Sequence, residues 1–135
     1  KIDPKFNKNQ NPKIGLIALA SDYMIEKDFI NVIKDKRIDF FVNRIECFNP
    51  LTSENLIKMS EKVTEVTKNI LPNQKIDCVV YACTSGTIAA GFNSIKKKIE
   101  EADYILVSIP PIDGKDIVAN YLNTNLKKCA QTSTG

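Results

Sequence analysis

The chain has 135 residues, 43% of them hydrophobic and 26% charged, which is enough for one globular domain with a real core and too little for two ordinary ones. That balance excludes a disordered chain, and no apolar run approaches the roughly 20 residues of a membrane helix, so no membrane partner is expected. The net charge of +3 is spread along the chain except at Lys96, Lys97 and Lys98, which Glu100 and Glu101 follow at once; this reads as a solvated helix face and argues against a nucleic-acid partner.

Residues 1–13 are polar and rich in Asn and Lys, and read as a flexible lead-in to a single α/β lobe over 14–135. Strand-length apolar runs follow at Ile14 to Leu19, Ile38 to Val42, Ile76 to Ala82 and Tyr104 to Val107. Between the first two, Met24, Ile25, Phe29, Val32 and Ile33 recur at helical spacing. Leu56, Met59, Val63, Val66 and Ile70 predict a second helix, and Asn49-Pro50 with Thr52, Ser53 and Glu54 predict its start. Ile88, Phe92, Ile95 and Ile99 predict a third, and the stretch from Ile117 to Leu126, begun by Asp113-Gly114, a fourth. Four strands alternating with four helices predict a doubly wound, mostly parallel four-stranded sheet with helices on both faces.

Ligands of open α/β sheets bind beyond the carboxyl ends of the strands. Three such ends carry polar chemistry: Ala20-Ser21-Asp22-Tyr23, then Asn43-Arg44 with Asn49-Pro50, then Cys83-Thr84-Ser85-Gly86-Thr87. The third sets a thiol at a strand-to-helix junction. Unpaired helix N–H groups there favour a thiolate on Cys83 or a substrate carboxylate held by Thr84, Ser85 and Thr87, with Gly86 allowing close approach. The competing reading is a buried cysteine among small residues that let strand and helix pack. Asp22 reads either as a helix cap or as a polar group facing the same crevice. Arg44 reads as a carboxylate anchor or as the partner of a surface acid such as Glu46.

Several chemistries are excluded on residue grounds. The four cysteines, Cys47, Cys78, Cys83 and Cys129, form no C-x-x-C pair and the chain has no histidine, so no metal is expected and a Cys-His hydrolase is ruled out within this chain. Free thiols of a cytoplasmic protein are the simplest account of them. No arginine follows Cys83 closely enough for a phosphatase loop, Gly86 and Gly91 are not followed by Lys-Ser/Thr, and Gly15 stands alone within the first strand, which removes phosphate-loop and dinucleotide fingerprints.

Taken together, Ile14 to Glu26, Val42-Asn-Arg44, Asn49-Pro50 and Tyr81-Ala-Cys83-Thr-Ser-Gly86 resemble the maleate isomerase and arylmalonate decarboxylase branch of the Asp/Glu racemase superfamily, with most likeness to the isomerase-like protein of ectoine utilisation. The resemblance implies a flavodoxin-like lobe of a two-lobed, cofactor-independent enzyme. It implies that Cys83 is the nucleophile toward a small dicarboxylate, that Thr84, Ser85 and Gly86 hold a carboxylate, and that Asp22, Tyr23 and Arg44 line the substrate site. Asp22 stands where maleate isomerases carry an asparagine, a change that bears on the substrate, since like charges repel. Most of the family's second lobe is absent between Glu101 and Ala102, and Ile109 stands where its second cysteine is expected. The chain is therefore read as a discontinuous lobe with its segments joined, a shortened relative or a truncated product. A second lobe or a homo-oligomer would complete the site. The expected activity is a cofactor-independent isomerase or racemase acting on a small dicarboxylate or amino acid. The alternatives are an arylmalonate-type decarboxylase and a non-catalytic carboxylate-binding module.

Overall fold

The computed structural model describes residues 11–102 and the strand Leu106–Ser108. In chain order the elements are β1 (Lys13–Leu19), α1 (Ile25–Ile33), β2 (Asp39–Ile45), α2 (Ser53–Ser60), α3 (Val63–Lys68), β3 (Cys78–Tyr81), α4 (Thr84–Ala90), α5 (Phe92–Glu100) and β4 (Leu106–Ser108). The sheet order is β2-β1-β3-β4 and each neighbouring pair is parallel. The α/β architecture with a parallel sheet is thus as expected. The remainder of the lead-in, the fourth helix and Cys129 lie outside the described residues.

Side chains of a strand alternate between its faces, and the buried residues divide accordingly into two clusters. Ile14, Leu16 and Ala18 of β1 join Cys78 and Val80 of β3 against Phe29 and Ile33 of α1. Ile17, Val79 and Tyr81 turn the other way, toward Leu56, Met59, Val63, Ile95 and Ile99. This two-sided burial is why β1 and β3 read as unbroken apolar runs rather than alternating ones. On the α1 face, the rings of Phe29 and Phe40 stack at 4.7 Å between centroids.

Several elements differ from their sequence reading, and β3 is confined to Cys78–Tyr81 within the expected run Ile76 to Ala82. β2 starts and ends later than the expected run, so Asn43 and Arg44 lie within the strand rather than beyond it. Among the described strands it has one neighbour, β1, and it is mostly half-buried, conditions that admit polar side chains. The expected second helix divides into α2 and α3, yet its apolar stripe continues through Leu56, Met59, Val63 and Ile70, all buried. Its start is as read: the Thr52 hydroxyl caps α2 by accepting from the Asn55 N–H at 3.2 Å.

The expected third helix also divides, here with a change of direction. Gly91 has φ +83, a backbone conformation open to glycine and strained for other residues. As a result Ile88 is 78% exposed and Phe92 is exposed, whereas Ile95 and Ile99 are fully buried. The lysine cluster on α5 is a solvated face, with Lys96 paired to Glu100 at 2.6 Å.

Burial rather than sequence spacing therefore sets the energetic weight of each apolar residue. Ile99→Ala is expected to lower the unfolding free energy by about 2–5 kcal/mol, and Ile88→Ala to change it by no more than about 0.5 kcal/mol. Urea denaturation of the two variants checks the contrast.

Candidate functional site

The carboxyl ends of β1, β2 and β3 are held level by the loop backbone. The Ala20 N–H donates to the Ile45 carbonyl at 2.9 Å and the Ala82 N–H to the Ile17 carbonyl at 3.0 Å. Ser21, Cys47 and Cys83 each follow one of these ends. The loops meet where the Ser21 hydroxyl donates to Cys47 Sγ at 3.6 Å.

Cys83 is the residue on which β3 gives way to α4. Its backbone is extended (φ −141, ψ 99), and its Sγ accepts the Gly86 N–H at 3.3 Å. A thiol therefore performs the capping role usually taken by Ser, Thr, Asp or Asn, whose oxygens are better neutral acceptors. The Cys83 carbonyl accepts from the Thr87 N–H at 3.0 Å and from the Thr87 hydroxyl at 2.7 Å. Ser85 Oγ lies 3.9 Å from the sulfur. Cys83 is only 3% exposed and belongs to the core cluster that also holds Met59 and Tyr81. Its sulfur thus sits beneath the surface, bonded to its own helix.

Gly86 makes this arrangement sterically feasible. A Cβ there would stand 2.8 Å from Cys83 Sγ, 2.9 Å from the Tyr81 hydroxyl and 3.1 Å from Met59 Cε. Tyr81 is 0% exposed, and among the described residues its hydroxyl meets no hydrogen-bond partner at good geometry. A buried polar group left in that state costs on the order of 1–3 kcal/mol. Burial first, and then the charge and hydrogen-bonding capacity of Cys83, push the Tyr81 phenol well above its ordinary range, with Cys47 adding a smaller effect. Tyr81 was not singled out in the sequence, although a signal existed: residues i and i+2 of extended chain share a face. Cys47 packs against the same cluster.

The other candidates are placed as follows. Thr84 is half-buried and Ser85 exposed on the first turn of α4. Tyr23 is 85% exposed. Asp22 Oδ1 accepts from the N–H groups of Met24, the N-cap residue of α1, at 2.8 Å and of Ile25, its first residue, at 2.9 Å, which ties the loop to the start of the helix. Arg44 forms an ion pair with Glu26, rather than with Glu46, and donates to the carbonyls of Leu19 at 2.9 Å and Asp22 at 2.6 Å. Both residues thus fasten the β1–α1 loop. Among the described residues no group of three His, Cys, Asp or Glu side chains is placed to hold a metal ion, and no helix is long and apolar enough to cross a membrane.

No family model and no curated protein matches the chain. Among solved structures, the maleate isomerase Iso from Pseudomonas putida S16 is similar, with a TM-score of 0.58 and 20% sequence identity over 73% of this chain. At that identity the likeness speaks for the fold. The chain spans 44% of the isomerase's length.

Two expectations follow from the geometry. Gly86→Ala should destabilise the protein by about 1–3 kcal/mol through overpacking, read as a lowered urea midpoint. Asp22→Ala should cost about 1 kcal/mol through loss of the two hydrogen bonds to the start of α1 whereas Asp22→Asn should be nearly silent, which the same denaturation series resolves.

Proposed function

We propose that this chain is a flavodoxin-like lobe of a cofactor-independent isomerase, and that Cys83 is its nucleophile toward a small dicarboxylate. The observation that carries the reading is the Gly86 N–H donated to Cys83 Sγ at the carboxyl end of β3. A hydrogen bond to the charged form of a group favours that form, and the thiolate, not the thiol, is the nucleophile. The likeness in fold to a maleate isomerase supports the same reaction class.

The chemistry is balanced without an added reactant. The Cys83 thiolate adds to one carbon of a cis carbon–carbon double bond, forming a C–S bond while the π pair moves onto the neighbouring carbon and its carboxylate. Rotation about the resulting single bond follows. Elimination then breaks the C–S bond, restores the double bond in the trans form and returns the thiolate. Gly86 and Thr87 commit their N–H groups to Cys83, so those of Thr84 and Ser85 are the first-turn donors offered to a substrate carboxylate. The Ser85 and Thr84 hydroxyls supplement them. Attack requires Sγ to swing out of the cap by rotation about its Cα–Cβ bond. In this reading Asp22, Tyr23 and Arg44 form the rim, with Asp22 and Arg44 acting through the shape of the β1–α1 loop. A second lobe or a second copy of the chain closes the cleft, since half a cleft neither excludes water nor orients a substrate.

Cys83→Ser separates nucleophile from cap. Serine preserves the hydrogen bond to Gly86, so stability should stay within about 1 kcal/mol of the parent, while cis-to-trans turnover of maleate, followed by proton NMR with the complete two-lobed assembly, should fall to background. Parent-level turnover in the serine variant would refute the assignment.

A further inference from the structure

We propose that Tyr81 is a positioning residue for Cys83, its hydroxyl supplying a second hydrogen bond to the sulfur when the thiol ionises. This deepens the reading of Cys83 as a nucleophile and rests on it. Three observations converge. The hydroxyl is fully buried and, among the described residues, meets no partner at good geometry, a state that polar groups of folded proteins rarely keep. It and Cys83 Sγ both lie within 3 Å of the single point where a Gly86 Cβ would stand, 2.9 Å and 2.8 Å respectively. The sulfur already accepts one donor, the Gly86 N–H at 3.3 Å, and as a thiolate it has lone pairs for another.

Chemistry sets the direction of the bond. A thiolate can only accept, and the Tyr81 phenol keeps its proton because burial, and next Cys83, raise its pKa. The ionisable groups acting on the hydroxyl are Cys83 and, more weakly, Cys47, which follows β2. From α2 the side chain that reaches the same point is Met59, which carries no charge. The tyrosine thus remains a hydrogen-bond donor toward the sulfur. No proton is transferred in this role: Tyr81 retains its own, and that of Cys83 leaves to solvent.

The test is the ionisation of Cys83 in Tyr81→Phe, read from the 13Cβ shifts of cysteine-labelled protein across pH and assigned with Cys83→Ser. Phenylalanine keeps the ring in the core and removes only the hydroxyl. Loss of a hydrogen bond to the charged form should move the Cys83 titration upward by about one pH unit, close to a tenfold drop in thiolate fraction below the midpoint. The unfolding midpoint should not fall. A Cys83 titration that coincides in the two proteins would overturn the proposal, as would a parent Cys83 that does not ionise anywhere in the range where the protein is folded. Turnover keeps the two ideas apart: a coincident titration with Cys83-dependent turnover sinks only the tyrosine, whereas a shifted titration without turnover sinks only the isomerase.

Discussion

A missing side chain at Gly86 governs how β3 is joined to α4. The strand arrives carrying Tyr81 and Cys83 on one face, and the helix must turn back across them for its own N–H to reach the sulfur at 3.3 Å. Any Cβ at residue 86 would occupy the volume that Sγ, the phenol oxygen and Met59 Cε already share. Close packing of this kind leaves little room for adjustment. Position 86 therefore decides both the helix start and the surroundings of the thiol.

The same packing sets two demands against each other. A nucleophile must reach a substrate, whereas Cys83 is sunk in the core with its sulfur turned toward its own helix. A thiol in wholly apolar surroundings would resist ionisation. Here a backbone N–H points at the sulfur, and a phenol that meets no partner at good geometry among the described residues lies beside it. In the proposed reaction the resting position protects the thiolate and the cap is given up when substrate takes its place at the first turn. The neighbouring loop is fastened independently, by Asp22 at the start of α1 and by Arg44 reaching across from β2 to Glu26 and the loop carbonyls. Movement of the sulfur therefore leaves the frame around it intact.

Local patterns were legible in the residues where one physical rule dominates. Ile14 to Leu19 read as a buried strand because burial on both faces demands an unbroken apolar run, and Thr52 read as a cap because its hydroxyl meets a backbone N–H three residues on. The reading of Ile88, Phe92, Ile95 and Ile99 as one helix failed because periodicity continues through Gly91 in the sequence while the helical backbone does not. Arg44 and Glu26 are separated by eighteen positions in the chain, so spacing alone carried no sign that they would pair. Tyr81 stood in the motif two residues before Cys83, but the approach of its hydroxyl and the sulfur to one point beside Gly86 depends on packing that spacing does not encode.

The amino-acid order alone determined the α/β class, the parallel character of the sheet and the placement of a thiol at a strand-to-helix junction, because periodicity, turn residues and chain order act over a few neighbouring positions. Tertiary structure decided which way that thiol turns, which polar groups are spent on holding loops and which hydroxyl is buried beside the sulfur. Those outcomes depend on distances between segments remote in sequence, and such distances exist only once the chain has packed.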